Sequence, residues 1–206
     1  MQTNSIETDF DPKKSLSNIL VYYDMKWNLN DTWWNWYNLS TARWSVSYWT
    51  QYITVSNRVW NNASITYSST ASYTMNMRTD FPRFCMWDDA DSWWNRWLQI
   101  SDRAYCVIGW NLYETTSPTV SSWRHMFSTV FDYSAKILKY CIDWEVKATK
   151  SLPNWWLRCS NKIVMWSNKR NATSWMTWNI WISFIVQNAS TDLLSFYNRT
   201  KSKYWL

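Results

Sequence analysis

A single glycine, Gly109, stands against 21 tryptophans in this chain of 206 residues, and the imbalance limits every tight turn the chain can make. A two-residue hairpin turn of type I′ needs φ > 0 at both central positions, which Asp-Gly or Asn-Gly supplies and a bulky residue resists. Lys136-Ile-Leu-Lys-Tyr-Cys-Ile-Asp-Trp-Glu-Val-Lys-Ala-Thr149 alternates apolar and polar residues on either side of Asp143-Trp144. That pattern predicts two short strands joined by such a turn, with tryptophan written in the glycine place. Ordinary composition, about 7% glycine, would put roughly fourteen glycines in a chain of this length. Seventeen of the 21 tryptophans adjoin Asn, Asp, Ser or another Trp, as in Trp33-Trp34-Asn35-Trp36, Ser92-Trp93-Trp94-Asn95 and Asn154-Trp155-Trp156. These are the neighbours that glycine keeps in turns, whereas core tryptophans keep apolar company.

The remaining pattern indicates an all-β chain. Short alternating segments recur about every ten residues between turn clusters, and no stretch of a dozen residues keeps a helical period. Ile19-Leu-Val-Tyr-Tyr23 is the first expected strand, β-branched and aromatic, and Ser121 to Asp132 also reads as a strand. Residues 1–17, polar and containing Pro12 and Lys13-Lys14, read as a leader or linker, so the expected domain is 18–206, large enough to bury a core unaided. No signal-peptide pattern opens the chain, and the longest mainly apolar run, Ile180 to Val186, is too short to span a bilayer as a helix. Cys85, Cys106, Cys141 and Cys159 include no C-x-x-C pair and are read as small buried apolar residues in preference to disulfide partners.

With tryptophan read as glycine, several segments resemble laminin-G-like, concanavalin A-like jelly-roll domains in the order that family has them. Trp27-Asn-Leu-Asn-Asp-Thr-Trp-Trp-Asn-Trp36 follows the first strand as the family's G-N-L-N-D-x-x-G-N-G loop does. Ser72-Tyr-Thr-Met-Asn-Met77 resembles its S-F-T-I-S-F core strand, and Leu98 to Ile108 the next hairpin. Trp123 to Asp132 is similar to W-H-H-V-A-V-T-Y-D, Lys139 to Glu145 to L-Y-I-D-G-E, and Gln187 to Asn198 to the closing strand and short helical turn. The resemblance implies an antiparallel two-sheet jelly-roll sandwich over about residues 19–198, with an extracellular, cell-surface or virion setting. It says far more about fold than about ligand.

Two accounts of the tryptophans are open. In the first they are glycine in the living protein, through a genetic code that reads UGA as glycine; Gly109 then comes from an ordinary glycine codon and Trp123 is a candidate genuine tryptophan. A bulky residue in a left-handed conformation costs roughly 1–2 kcal/mol, so ten such sites would consume about the 5–15 kcal/mol stability of a whole domain. This account places Trp27, Trp36, Trp60, Trp144, Trp155 and Trp178 in turns. In the second account the tryptophans are literal and form aromatic surfaces for sugars, bases or a membrane interface. The pairs Trp33-Trp34, Trp93-Trp94 and Trp155-Trp156 would then fall in separate loops and not on one platform.

Candidate chemistry is sparse. The three glutamates, Glu7, Glu114 and Glu145, lack the Glu-x-Asp-x-x-Glu spacing of glycosidases on this sandwich, which excludes that pattern. His125, the sole histidine, sits in an expected strand without a triad motif and is read as structural. Asp88, Asp89 and Asp91 form an acidic loop that is either simply solvated or a Ca²⁺ site of the kind the resembled family carries at its loop rims; the spacing is not that of an EF-hand. From Tyr133 to Leu206, 11 lysines and arginines face 3 acids, and Lys147, Lys150, Arg158 and Lys162 are the candidate ligand-binding cations. Lys147 and Lys150, an odd number of residues apart, are expected on opposite faces of a strand. A basic face favours an anionic glycan or acidic surface polymer over nucleic acid, because little aromatic interleaving survives once tryptophan is discounted.

Three functional readings follow. The first is a non-enzymatic binding module attaching to a glycan or surface partner. The second is a structural component of a virion or cell surface. The third, a polysaccharide-acting enzyme, has no catalytic motif to support it.

Overall fold

In a computed structural model of the protein, the described residues are 18–24, 39–42, 46–48, 53–55, 58–61, 71–79, 84–88, 98–100, 102–108, 111–120, 125–154, 163–167 and 178–187. They form fifteen strands and no helix. In chain order these are β1 (Ile19–Asp24), β2 (Leu39–Ala42), β3 (Val46–Tyr48), β4 (Ile53–Val55), β5 (Arg58–Asn61), β6 (Tyr73–Thr79), β7 (Phe84–Asp88) and β8 (Leu98–Ile100). They continue with β9 (Ala104–Ile108), β10 (Asn111–Glu114), β11 (His125–Asp132), β12 (Ile137–Ile142), β13 (Glu145–Ser151), β14 (Ile163–Ser167) and β15 (Trp178–Val186).

The strands make two antiparallel sheets. An eight-stranded sheet runs β13-β12-β11-β6-β15-β4-β3, with β1 also paired to β15, and a seven-stranded sheet runs β10-β9-β8-β7-β14-β5-β2. β1 and β4 lie end to end along one edge of β15, opposite residues 182–186 and 178–180 respectively. The chain passes repeatedly between the sheets, and the two inner faces meet in one core, as in a β-sandwich.

Alternation builds that core. Tyr73, Met75 and Met77 of β6 stand in register beside Phe131, Thr129 and Phe127 of β11, which in turn pair with Leu138, Tyr140 and Ile142 of β12. Except for Thr129, these side chains belong to the core cluster with Val21, Tyr23, Ile180 and Ile185, and Ile100, Ala104, Cys106 and Ile108 meet them from the other sheet. Alternate residues of the segment Ser72 to Met77, namely Tyr73, Met75 and Met77, thus enter this core.

The other face of the eight-stranded sheet is covered too, which alternation alone does not predict. Cys141, Ser128, Asn76, Phe184 and Tyr22 form a register row across β12, β11, β6, β15 and β1, and each is 5% exposed or less. Strands buried on both faces read as nearly continuous runs without polar alternation. The signal is present in Met126-Phe-Ser-Thr-Val-Phe131 of β11 and in Ile182-Ser-Phe-Ile-Val186 of β15.

The register shifts at Leu20 of β1, at Lys147 of β13 and at Trp181 of β15. Bulges of this kind bend a strand and are favoured sites for glycine. Of the tryptophans expected in turns, Trp144 is at one, with φ 68°, beside Asp143 at φ 49°, the pair that joins β12 to β13. Trp60 and Trp178 correct the expectation, because they lie within β5 and at the start of β15, where ladder pairing holds the backbone extended. Trp27, Trp36 and Trp155, the expected leader, the loop after β1, Trp123 and the closing segment beyond Gln187 lie outside the described residues.

Candidate ligand-binding surface

The β12–β13 turn is tied to the start of β11. Asp143 Oδ2 lies 2.6 Å from His125 Nδ1, Asp143 Oδ1 accepts the Met126 N–H at 2.9 Å, and the Asp143 N–H donates to the Met126 carbonyl at 2.8 Å. The His125 ring also sits edge-on to Phe127, 5.9 Å between centroids. One carboxylate thus satisfies a backbone donor and a ring nitrogen while its own residue adopts the left-handed conformation that Asp tolerates. These contacts fasten the turn to β11 through His125 and Met126.

The neighbouring β11–β12 hairpin is organised around Asp132. Its Oδ1 accepts from the Ser134 hydroxyl at 2.8 Å and the Ala135 N–H at 3.0 Å, and Lys139 Nζ lies 3.9 Å from Oδ2. Partial burial works to raise the Asp132 pKa, but the Ala135 and Ser134 hydrogen bonds and the Lys139 charge hold it below the usual carboxylate value. Lys136, at φ 55°, places its ammonium 3.4 Å from the Tyr133 ring centroid.

Both candidate lysines within the described residues are on β13, the edge strand. Lys147 is the bulge residue, and its Nζ lies 2.6 Å from Glu145 Oε2, so its charge is locally balanced. Lys150 stands opposite Leu138 and is exposed. Exposed lysines, a bulge and an exposed Val146 on an outermost strand also suit the common task of blocking edge-to-edge pairing. Arg158 and Lys162 lie outside the described residues, as do Asp89 and Asp91. Asp88, expected in a loop, instead ends β7 in register with Ile163 because the ladder with β14 extends that far. No group of three or more potential metal ligands occurs among the described residues.

At the far edge of the seven-stranded sheet lies a cluster that the sequence reading missed. Arg103 Nη2 is 3.5 Å from Asp102 Oδ2, Arg103 Nη1 is 3.5 Å from Glu114 Oε1, and the guanidinium carbon is 5.9 Å from the Tyr105 ring centroid. The Tyr105 hydroxyl donates to Asp102 Oδ1 at 3.3 Å. Burial pulls the Arg103 pKa down, but Tyr105, Asp102 and Glu114 together raise it above its ordinary value. The backbone beneath is pinned: the Ala104 N–H donates to Thr115 Oγ1, the Thr115 N–H returns to the Ala104 carbonyl, both at 3.1 Å, and the Ser117 hydroxyl donates to the Asp102 carbonyl at 3.0 Å. Asp102-Arg103 and Glu114 are eleven or more residues apart, and only the antiparallel pairing of β9 with β10 brings them together.

Cys106 and Cys141 are free and buried in different sheets. Burial pushes the Cys106 thiol up to about 12 and the Cys141 thiol up to about 11, the latter despite the opposing charge of Lys139. Both behave as small apolar residues and not as nucleophiles.

No protein-family model and no curated protein matches the chain. Solved structures do. The crystal structure of the botulinum neurotoxin serotype G binding domain superposes with a TM-score of 0.71 at 12% identity, covering 90% of this chain and 52% of that one. The binding domain of Paraclostridial Mosquitocidal Protein 1 gives 0.67 at 13% identity, covering 88% and 52%. The binding domain of botulinum neurotoxin DC, solved in complex with SialylT, gives 0.63 at 12% identity, covering 88% and 51%. The chain spans about half the length of these structures. At such identities the likeness is one of fold: an antiparallel all-β architecture shared over nearly the whole chain.

Proposed function

We propose that the chain is a non-enzymatic binding module, a jelly-roll sandwich of the laminin-G-like, concanavalin A-like type over residues 18–206, that attaches its carrier to a glycan or receptor surface. The observation that carries this reading is the fold match over about nine-tenths of the chain to domains whose role is binding. The ordered family segments and the lack of a glycosidase carboxylate pattern support it from the sequence side. Binding of the DC domain to SialylT makes a sialylated or other anionic glycan a reasonable first probe, with Lys147, Lys150, Arg158 and Lys162 as its candidate contacts and Ca²⁺ at Asp88, Asp89 and Asp91 as a candidate cofactor. No helix among the described residues is long and apolar enough to cross a membrane.

The recoding account belongs to the same proposal. Trp144 at φ 68° and Trp181 at a bulge occupy backbone settings that favour glycine, and Trp60 and Trp178 in strands give it no help. The test is a glycan array with the glycine-restored protein, run with calcium and with chelator. Selective binding of a glycan class supports the module; silence across the array in both conditions sinks it.

A further inference from the structure

The core alternation of β9 decides which way the Arg103 cluster faces. Ala104, Cys106 and Ile108 are buried in the core, so Tyr105 between them lies on the opposite face of the sheet, together with its register partner Glu114. Leu112, two residues before Glu114 on the same face, is 54% exposed, the most exposed large apolar side chain among the described residues. A ring, two carboxylates, a guanidinium and an uncovered leucine therefore share one side of the β9–β10 edge.

A clamp that merely fastens β10 to β9 would be drawn tight, since N–H···O bonds between charged partners close to about 2.7–2.9 Å. Both Arg103 contacts instead stand at 3.5 Å and the Tyr105–Asp102 bond at 3.3 Å. The guanidinium and the two carboxylates are thus held near one another without being drawn into tight pairs. The pinned backbone beneath them supplies the rigidity that a binding constellation requires.

We propose that this face of the β9–β10 edge is a subsite for a neutral pyranose sugar. The C–H face of the sugar lies against the Tyr105 ring and Leu112, Arg103 donates to ring hydroxyls, and Asp102 and Glu114 accept from them. Aromatic side chains with a polar handle suit a ligand that is apolar on one side and hydroxylated on the other. Two carboxylates against one guanidinium leave an excess negative charge, which favours neutral hexoses over sialylated or sulfated sugars and separates this subsite from the lysines of β13.

The inference rests on the binding-module reading, and the experiment separates the two. The glycine-restored 206-residue chain is titrated with neutral glucan, mannan and galactan oligosaccharides and with sialyllactose, alongside Tyr105→Ala, Tyr105→Phe, Glu114→Gln and Leu112→Ser, each checked for an unchanged thermal transition. The expected result is binding of a neutral oligosaccharide that weakens at least tenfold in Tyr105→Ala and Glu114→Gln, several-fold in Leu112→Ser, and little in Tyr105→Phe. Leu112→Ser alters an exposed position, so it keeps the test decisive if Tyr105→Ala fails to fold. If a glycan binds but these variants stay within twofold, or if only sialyllactose binds, the subsite is refuted and the module reading stands. If no glycan binds, the module reading fails and the subsite with it.

Discussion

Trp144→Gly is expected to be more stable than Trp144→Ala, against the usual rule that glycine destabilises relative to alanine. Asp143 and Trp144 both have φ > 0, at 49° and 68°, in the turn between β12 and β13. Asp143 is compensated there by its bonds to Met126 and His125, while Trp144 carries the left-handed cost of a Cβ-bearing residue. That cost is about 1–2 kcal/mol, and the extra freedom of glycine in the unfolded chain takes back about 0.5–1 kcal/mol. The net gain of Trp144→Gly over Trp144→Ala is therefore about 1 kcal/mol, a rise in Tm of roughly 2–4 °C for a domain of this size. The comparison with alanine removes the indole from both proteins, so their difference isolates the backbone. Asp143→Gly should move the other way, because it relieves a similar conformation while orphaning the Met126 N–H. Chemical denaturation of the three variants reads these differences directly. Equal stability of Trp144→Gly and Trp144→Ala, or a less stable glycine variant, would refute the argument that this position is built for glycine.

Asp132→Ala should cost about 1 kcal/mol at pH 7 through the lost hydrogen bonds to Ser134 and Ala135. Because the folded pKa of Asp132 is depressed, its stabilisation is present above the ordinary carboxylate value of about 3.9 and fades as pH falls through the folded value; urea melts at pH 7 and pH 3 should show the gap between variant and parent narrowing. His125→Ala should speed hydrogen exchange at Met126 and across the β12–β13 turn well before it lowers global stability, which exchange measured by mass spectrometry would reveal. In a protein carrying Cys85→Ser and Cys159→Ser, the remaining thiols, raised to about 11 and about 12, should resist Ellman's reagent at pH 8 until denaturant is added. Reaction at the rate of a free thiol in the folded protein would contradict their burial.

What the sequence determined is local and periodic. Alternation around Asp143-Trp144 defines β12, β13 and the turn between them, and the same period in Tyr73 to Met77 marks which residues enter the core. Composition and residue order were enough to indicate an antiparallel sandwich, because strand period and turn chemistry are properties of neighbouring residues. Tryptophan at a glycine setting was legible at Trp144 for the same reason. Trp60 and Trp178 were misread because short tryptophan-bearing segments look alike whether a ladder recruits them or a turn does, and ladder pairing is settled by distant partners: β14 and β2 for β5, and β4 for the start of β15.

Tertiary structure alone decided the rest. The second buried face of the eight-stranded sheet depends on five strands lying in one register row, and no single strand carries that information. The bulge at Lys147 exists only relative to β12, so the faces of Lys147 and Lys150 could not be settled by counting along β13. The Arg103 cluster draws Asp102 from just before β9, Tyr105 from β9 and Glu114 from β10, and the pairing register of the two strands, not spacing along the chain, brings Glu114 to within 3.5 Å of Arg103. Strand identity is written in short-range alternation, whereas a surface assembled across strands is fixed by long-range pairing, which a linear pattern does not encode.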